Sequence, residues 1–578
     1  MSVNYRKMKD EWKQQGRIPE WYSSNALQFF METYSYEGED VKTRDETTNK
    51  WLAKFAPEVY PDYWEEDEYF KGLTWEQAFN KLDWDGFTIK STPLKANGGL
   101  PQRGLTVSCC GQDFKNSIAA KAFARGELEV LIKNSHGCSM TVSDWLAEGE
   151  VYDSDGNRSH GIVPIIDELQ EATGAINQGI RRGVTLFGVD ALHGDFWKVA
   201  KKLFDEADNL NIAWLMTDEF TKLLEQGDEE TIKRWNKILY IRMAKGKGYF
   251  TKIDTMNRNK AKIFKDKNLV IKGSNLCNEV NLPVTEDYSF TCVIINANLT
   301  MYRKFPKHLF HVLHVMQDCN VSGYIAEIES KTGYNSLFLN KVLKFTKDFR
   351  AVGTGVAGFH SLLMQEGIVF GSLDSFYLNN KIFKGMREDL EECSRWLAKV
   401  LGEPDGMKGT GMRNATLMMA PPTKSSAELA RNTPSESINP STALVKVKET
   451  VGGDIWRIEP VLLKLLKDKG KYNEEIISSI ARNKGSVQHL DFLTQDEKEV
   501  LRIAFEIPME AHLDLCSQRQ KHFDQQQSIN LYLASHDSVE YIAEIHKKAL
   551  LDEGINGLYY CYSSRGGSYE RADCVVCT

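Results

Sequence analysis

The distribution of apolar and polar positions divides the chain into a helical beginning and a longer part of mixed character. Within residues 1–100, apolar side chains recur at helical spacing in "NALQFFMETY" and "TWEQAFNKLDW", and the stretch ends in the loop "KANGGLPQRG". From about residue 105, short apolar runs alternate with amphipathic segments such as "QGDEETIKRWNKILYIRMAKG". The runs are "LTVSCC", "GVTLFGV", "LNIAWLM", "LVIKGSNLCNEV", "FTCVIINANL" and "NATLMMAPP". This alternation predicts an α/β architecture of the barrel type.

The end of the chain loses this pattern. The stretch "SSRGGSYERADCVVCT" is polar, contains Gly and Ser, and has no apolar period, which is typical of a mobile tail. We therefore expect a helical N-terminal domain over residues 1–100, an α/β barrel over residues 101–560 and a flexible tail over residues 561–578.

Composition narrows the function mainly by exclusion. A hydrophobic content of 42% and a charged content of 26% are ordinary for a globular protein, and the net charge of −8 gives no basic footprint for nucleic acid. The chain has no apolar stretch of membrane-spanning length, and "MSVNYRKMKDEWKQQ" has no signal-peptide core. We expect a cytoplasmic protein that binds neither nucleic acid nor a membrane, and whose eleven cysteines do not form a disulfide framework.

The segment "SNLCNEVNLP", residues 274–283, carries the clearest candidate chemistry. If it is extended, Asn275, Cys277 and Glu279 share one face and Leu276 points to the other. A thiol between an amide and a carboxylate is an unusual arrangement to bury without a purpose. These groups are suited to positioning a substrate and to moving a proton.

A second candidate lies in "MMAPPTKSSAELAR", residues 418–431. An apolar run ends at two prolines, and Ser425 with Glu428 has the spacing of a capping box, so a helix is predicted to start there. A helix start after a strand is suited to an anion, and Lys424 adds positive charge. An ordinary capped helix is the alternative interpretation.

The C-terminal region contains two further pairs. Tyr559 and Tyr560 would point to opposite sides of a strand, so one could face a site and the other a partner, although core aromatics are the simpler interpretation. Cys574 and Cys577 form a C-x-x-C pair, but zinc would need a second ligand pair, so no metal site is expected. A dithiol that reduces a disulfide elsewhere in the protein fits this position better.

Together these segments resemble the large, catalytic subunit of class I ribonucleotide reductase. Each segment alone is weak, but they occur in the family's order from about residue 105 to the end: "SNLCNEVNLP", "TCVIINANL", "APPTKSSAE", "NTPSESINP", "QQSINLYL", "GLYY" and the terminal cysteine pair. The resemblance implies a ten-stranded α/β barrel with Cys277 at the tip of an inserted finger loop. Because the chain begins almost directly with "RIPEWYSSNALQFFMETY", we expect a short form without an N-terminal ATP-cone.

The resemblance also implies roles for the reacting groups. Cys277 would become a thiyl radical and remove the 3′-hydrogen of a ribonucleotide, which we expect to be a diphosphate. Glu279 would accept the proton of the 3′-hydroxyl, and Asn275 would hold the substrate's hydroxyl groups. Cys109 and Cys292 would deliver electrons to the 2′ position and end as a disulfide.

The resemblance implies substrate contacts as well. Ser108 would bind the ribose, and "SCC" leaves Cys109 or Cys110 as the redox thiol, of which Cys109 is preferred because it directly follows the serine. The residues expected to cradle the phosphates are Thr423, Lys424, Ser425 and Ser426. The segment "NSHGCSMTVSDWLAEG" matches the family's effector site poorly, and the residues that fit a dNTP or ATP effector site better are Asp113, Arg181 and Arg182.

Partners follow from the same resemblance. Tyr559 and Tyr560 would relay a radical from the metallocofactor of a separate small subunit, Cys574 and Cys577 would be reduced by thioredoxin or glutaredoxin, and the chain is expected to form a homodimer. The main alternative is a cobalamin-dependent class II ribonucleotide reductase, which shares the barrel but does not need the tyrosine pair. A zinc-binding interaction protein that uses the terminal cysteines is a more distant alternative.

Overall fold

The structure is a computed structural model that describes residues 4–176, 183–448 and 455–564 of the 578-residue chain. Its strands are β1 Thr88–Lys90, β2 Cys109–Asp113, β3 Gly137–Thr141, β4 Thr185–Asp190, β5 Asn211–Met216, β6 Tyr249–Lys252, β7 Phe290–Asn298, β8 Val352–Ala357, β9 Val445–Lys448, β10 Ile455–Ile458, β11 Leu531–Leu533, β12 Gly557–Leu558 and β13 Cys561–Ser563. No helix in these ranges is long and apolar enough to cross a membrane.

The α-helices occupy most of the remaining chain. In the first half they are α1 Tyr5–Gln14, α2 Ser24–Thr33, α3 Val41–Ala53, α4 Trp75–Asp85, α5 Thr92–Asn97, α6 Ile118–Lys133, α7 Val163–Gly174, α8 Phe196–Asp205, α9 Asp218–Gln226, α10 Glu229–Lys245, α11 Ile253–Asn259 and α12 Lys262–Asp266. In the second half they are α13 Leu309–Glu329, α14 Tyr334–Phe349, α15 Phe359–Gln365, α16 Leu373–Leu401, α17 Lys424–Leu429, α18 Pro460–Asp468, α19 Glu474–Arg482, α20 Gln495–Val500, α21 Met509–Gln520 and α22 Val539–Leu551.

The first hundred residues are mainly helical, as their spacing predicts. Helix α2 begins after Ser23, whose side chain accepts a hydrogen bond from a backbone N–H of the first turn. Helix α4 begins with a capping box between Thr74 and Gln77. Strand β1 from this region pairs antiparallel with β7, which attaches the N-terminal helices to the main sheet.

The main sheet closes into a ring of two halves. Strands β2, β3, β4, β5 and β6 run parallel in that order. The second half begins with parallel β7 and β8 and continues through the parallel bridges Thr354–Met418 and Ala420–Gln527 to β11 and β13. Antiparallel pairs join the halves, β2 with β7 on one side and β6 with β12 on the other. Each half therefore contributes five strands or strand-like segments, and together they form the predicted ten-stranded α/β barrel.

The predicted runs differ in how they fold. "LNIAWLM" and "FTCVIINANL" contain β5 and β7, "GVTLFGV" contains all of β4 except its last residue, and "QGDEETIKRWNKILYIRMAKG" contains α10. "LTVSCC" enters its strand only at Cys109. The prediction of a strand in "LVIKGSNLCNEV" is wrong, because this segment turns back on itself inside the barrel.

Candidate active site

The segment between β6 and β7, residues 253–289, carries the Asn–Cys–Glu sequence into the barrel. Asn278 adopts a left-handed conformation with φ of 58°, which asparagine tolerates better than most residues, and its N–H donates to the carbonyl of Asn275 at 3.0 Å. The predicted alternation of an extended strand is therefore wrong. The turn instead brings the Asn275 amide within 2.8 Å of the Glu279 carboxylate, and both side chains are buried beside Cys277.

A distant segment, residues 525–528, holds this turn. The hydroxyl of Ser528 shares its single proton between the carbonyl of Cys277, at 2.5 Å, and the carboxylate of Glu279, at 3.2 Å. The amide of Gln526 donates to the carbonyl of Asn278 at 3.0 Å. The sequence did not single out Gln526 or Ser528 as site residues. The one indication of a role was that both lie in the segment "QQSINLYL". Their contacts hold the second half of the turn, residues 277–279.

Two further thiols lie on neighbouring strands beside Glu279. Cys109 of β2 and Cys292 of β7 are direct partners in the antiparallel register, a separation that allows a disulfide. The amide of Asn275 donates to the Cys109 sulfur at 3.2 Å, and that thiol lies 3.7 Å from Oε1 of Glu279. The amide of Gln525 donates to the Cys292 sulfur at 3.1 Å. A carboxylate, two amides and two thiols therefore form one buried group.

Cys110 lies on the opposite side of β2. Its sulfur is 3.0 Å from that of Cys138, its partner on β3, and both thiols are buried in the core behind the sheet. Successive residues of a strand point to opposite faces, so Cys109 alone of the two is on the side of Glu279. The hydroxyl of Ser108 is 3.5 Å from the Cys109 sulfur.

Burial sets the protonation of these groups. Desolvation raises the pKa of Glu279 to about 7, although hydrogen bonds from Asn275 and Ser528 oppose the shift. Burial, together with the charge of Glu279, raises the pKa of Cys109. Burial also raises the pKa of Cys292. Near neutral pH the two thiols keep their protons, while Glu279 can take up and return one.

Tyr559 and Tyr560 lie in contact, with ring centroids 4.3 Å apart. The prediction that they point to opposite sides is wrong, because the two residues lie between β12 and β13 and outside both strands. The ring of Tyr249, which the sequence did not single out, lies 4.7 Å from Tyr559 and 5.2 Å from Tyr560. These rings and Cys277 belong to one buried cluster, and Arg242 donates to the carbonyl of Tyr559 at 3.0 Å.

The proposed phosphate segment forms helix α17, but not with the predicted cap. Thr423 occupies the N-cap position without a side-chain cap, Ser425 lies inside the helix, and Glu428 pairs with Arg457 instead. The buried hydroxyl of Ser425 has no hydrogen-bond partner among the described residues. Ser426 lies on the partly exposed side of the helix. The capping-box prediction is therefore wrong, while the helix after the two prolines is present.

The remaining predicted residues are only partly described. Asp113 ends β2 and accepts a hydrogen bond from Lys272 at 2.6 Å, and Lys272 also contacts Asp144 at 2.6 Å. Arg181, Arg182, Cys574 and Cys577 lie outside the described residues. In the described ranges, no three His, Cys, Asp or Glu side chains are grouped to hold a metal ion.

Comparisons with known proteins agree on one family. The family described as "Ribonucleotide reductase, barrel domain" matches residues 107–234, 230–410 and 404–561. The ribonucleoside-diphosphate reductase large subunit of Invertebrate iridescent virus 3 is 31% identical over 66% of this chain, and that of Caenorhabditis elegans is 23% identical over 75%. The chain spans 59% and 63% of the length of these relatives, respectively.

A solved structure gives closer coverage. The Actinobacillus ureae class Id ribonucleotide reductase alpha subunit superposes with a TM-score of 0.82 and 29% sequence identity. The match covers 94% of this chain and 97% of that one.

Proposed function

The chain belongs to the ribonucleotide reductase family as a class I large subunit, and we propose that it reduces ribonucleoside diphosphates to 2′-deoxyribonucleotides at Cys277. The observation that carries this proposal is the buried group in which the Cys277 turn meets Glu279 and the Cys109–Cys292 pair. We also propose that the chain has the three predicted parts, namely a helical domain over residues 1–100, the barrel over residues 101–560 and a tail over residues 561–578.

The proposed reaction gives each of these side chains a distinct role. The Cys277 thiyl radical takes the 3′-hydrogen, and Glu279 takes the proton of the 3′-hydroxyl while Asn275 holds the substrate's hydroxyl groups. The 2′-hydroxyl leaves as water, and Cys109 and Cys292 supply two electrons and two protons as they form a disulfide. The 3′-hydrogen then returns from Cys277, which is again a thiyl radical, and Glu279 returns the proton to the 3′-oxygen. One ribonucleotide and two thiols thus give one deoxyribonucleotide, one disulfide and one water.

The substrate is proposed to lie between Ser108 and the start of α17. Ser108 is beside Cys109 and is therefore suited to the ribose. Thr423, Lys424, Ser425 and Ser426 would receive the phosphates, because the first turn of a helix presents free N–H groups. The unpartnered, buried hydroxyl of Ser425 supports this placement, since it would gain a partner when substrate binds.

A class I large subunit works with a small subunit, and we propose Tyr559 and Tyr560 as the relay between the two. A metallocofactor of the small subunit would supply the oxidising equivalent. The contact of both rings with each other and their shared cluster with Cys277 support a path for one electron at a time. For regeneration, we propose that Cys574 and Cys577 reduce the Cys109–Cys292 disulfide and are reduced in turn by thioredoxin or glutaredoxin.

Regulation by dNTP or ATP is proposed at Asp113 with Arg181 and Arg182. Asp113 is linked through Lys272 to the chain only three residues before Asn275, so a ligand there could shift the Cys277 turn. A homodimer is proposed through the nearby face of α6 and α14. That face exposes three apolar side chains, namely Ile118, Tyr334 and Leu337.

The test of this function is nucleotide reduction by the purified chain. We expect deoxyribonucleotide only when a compatible small subunit is added, and no effect of adenosylcobalamin. Reduction supported by adenosylcobalamin without a small subunit would instead establish the cobalamin-dependent alternative. The proposal would be contradicted if the chain formed no deoxyribonucleotide with any of the small subunits that work with related large subunits.

A further inference from the structure

Tyr562 continues the tyrosine cluster outward from the relay pair. Its ring centroid lies 5.7 Å from that of Tyr560, within the usual range for interacting aromatic rings. On its other side it stacks on Tyr532, at 5.3 Å and an interplanar angle of 9°. Tyr559 and Tyr560 are each only 2% exposed, whereas Tyr562 is partly exposed. Tyr562 is therefore a ring in contact with the relay that also reaches the protein surface.

Strand pairing fixes Tyr562 in this position. Strand β13 pairs parallel with β11, and Tyr562 and Tyr532 are direct partners in that register. Cys561 is buried, and its N–H donates to the carbonyl of Gly246 at 3.0 Å. From this strand the ring of Tyr562 reaches the ring of Tyr560, with centroids 5.7 Å apart. The contact thus arises from backbone pairing as well as from side-chain packing.

We infer that Tyr562 is a further redox residue, through which the radical passes between the subunit surface and Tyr560. This inference rests on the proposed relay, since Tyr560 must itself be oxidised. In the inward step, a Tyr562 phenoxyl radical takes one electron and one proton from Tyr560; Tyr562 becomes a phenol and Tyr560 a phenoxyl radical. The return step is the reverse. Both partners are phenols, so the exchange needs no large driving force in either direction.

Tyr532 offers a matched control. It is also a tyrosine in contact with Tyr562, but it is 3% exposed and its hydroxyl accepts a hydrogen bond from Asn530 at 3.3 Å. Loss of its hydroxyl removes a phenol from the same cluster without touching the path from the surface through Tyr562 to Tyr560. A phenylalanine at either position keeps the ring and its packing.

The first measurement compares turnover in the complex with the small subunit that supports the unchanged chain. We expect Tyr562→Phe to lower turnover by about a hundredfold or more without changing substrate affinity, and Tyr532→Phe to stay within about twofold. Normal turnover of Tyr562→Phe would overturn the inference.

The second measurement identifies the radical itself. The chain is prepared with 3-aminotyrosine, which is more easily oxidised than tyrosine, at position 562, 560 or 532, and mixed with small subunit, nucleoside diphosphate and effector. Electron paramagnetic resonance should show an aminotyrosyl radical at positions 562 and 560 and none at 532. A radical at 560 without one at 562 would overturn this inference alone. No radical at either position would overturn the relay and this inference together.

Discussion

Glu279 is the proposed base, and its environment sets the pKa of its carboxylate. Its carboxylate is fully enclosed, and it receives hydrogen bonds from Asn275 and Ser528 at 2.8 and 3.2 Å. Those bonds favour the charged form, but burial outweighs them and raises its pKa to about 7. A base with a pKa near the working pH can both accept a proton and release it during one turnover.

The pH dependence of turnover follows from this pKa. If Glu279 is the base, as proposed, its unprotonated carboxylate is the active form, so kcat should rise with pH and reach half its plateau near a pH of about 7. Steady-state rates at saturating substrate across that range would measure the rise. Glu279→Gln keeps the shape and the amide contact but removes the base, so it should lose most activity and show no such rise. A wild-type rate that is constant from about pH 6 to pH 8 would contradict the assignment.

The neighbouring thiols of β2 should behave differently despite their adjacent positions. Cys109→Ser should abolish multiple turnover, because Cys109 lies beside Glu279 and opposite Cys292. Cys110→Ser should retain turnover within a fewfold of the unchanged chain, since Cys110 contacts Cys138 behind the sheet. Product formed per active site over many turnovers measures both variants. If Cys110→Ser stalls and Cys109→Ser does not, the redox pair has been assigned to the wrong face of the strand.

Sequence reasoning identified these residues better than it placed them. Asn275, Cys277 and Glu279 do lie together, but through a left-handed turn at Asn278 rather than through strand alternation. The periodicity of a short apolar segment cannot reveal a single residue with positive φ. The contacts of Ser528 with this turn come from about 250 residues away in the chain, and no local pattern indicates them.

At the scale of elements, one buried carboxylate joins three parts of the second half-barrel. Asp318 of α13 accepts from Arg350, at the end of α14, and from Arg413, each at 2.8 Å. Burial alone would raise the pKa of Asp318, but the two guanidinium groups outweigh it and hold the pKa well below its usual range. Its folded-state pKa is lowered, so its contribution to stability is present above the unfolded value of 3.8 and is lost as the pH falls below it.

Removal of this charge should therefore destabilise the fold. Asp318→Asn leaves two buried guanidinium groups without a carboxylate and should lower the free energy of unfolding by about 3–5 kcal/mol at neutral pH. The matched control is Asp405→Asn, because Asp405 forms an exposed pair with Lys408 and should leave the stability nearly unchanged. Denaturant unfolding measures both. Equal free energies of unfolding for the two variants would show that the buried network contributes no more to stability than an exposed ion pair.

Helices and strands were predicted correctly where the local pattern of apolar residues determines them. Helices α2, α4 and α10 follow from apolar spacing, and the strands β4, β5 and β7 from apolar runs. The start of α17 was not predicted correctly, since Ser425 and Glu428 have capping-box spacing but Glu428 instead pairs with Arg457 on β10. A tertiary ion pair overrides a local cap here, and a sequence pattern alone does not contain it.

At the scale of the whole molecule, the closed barrel brings distant segments around Cys277. Alternating strands and helices predicted the architecture, but ring closure depends on isolated bridges at Met418, Ala420 and Gln527 that are too short to appear as strand signals. The ring also brings the Tyr559–Tyr560 segment beside β6 and thus beside the Cys277 turn. The chemistry therefore depends on correct closure of the entire barrel.

Reduction of the proposed Cys109–Cys292 disulfide also depends on the whole chain. Cys574 lies fourteen residues after Tyr560, and a chain of that length spans at most ~50 Å when extended and averages nearer ~20 Å when flexible. The double variant Cys574→Ser, Cys577→Ser should complete about one reduction per active site with thioredoxin and then stall. Dithiothreitol, which is small enough to enter the barrel, should restore part of the activity. Undiminished multiple turnover with thioredoxin would show that another route reduces the disulfide.

In the proposed mechanism the Cys277 sulfur carries the radical that activates the ribose. Its most direct test is chromatographic detection of deoxyribonucleotide from a ribonucleoside diphosphate, with the small subunit present, for the unchanged chain and for Cys277→Ser. A serine O–H bond is too strong to exchange hydrogen in this way, and the small change in size should leave the fold intact by circular dichroism. We expect product from the unchanged chain and none from Cys277→Ser. Product from a folded Cys277→Ser chain would contradict it.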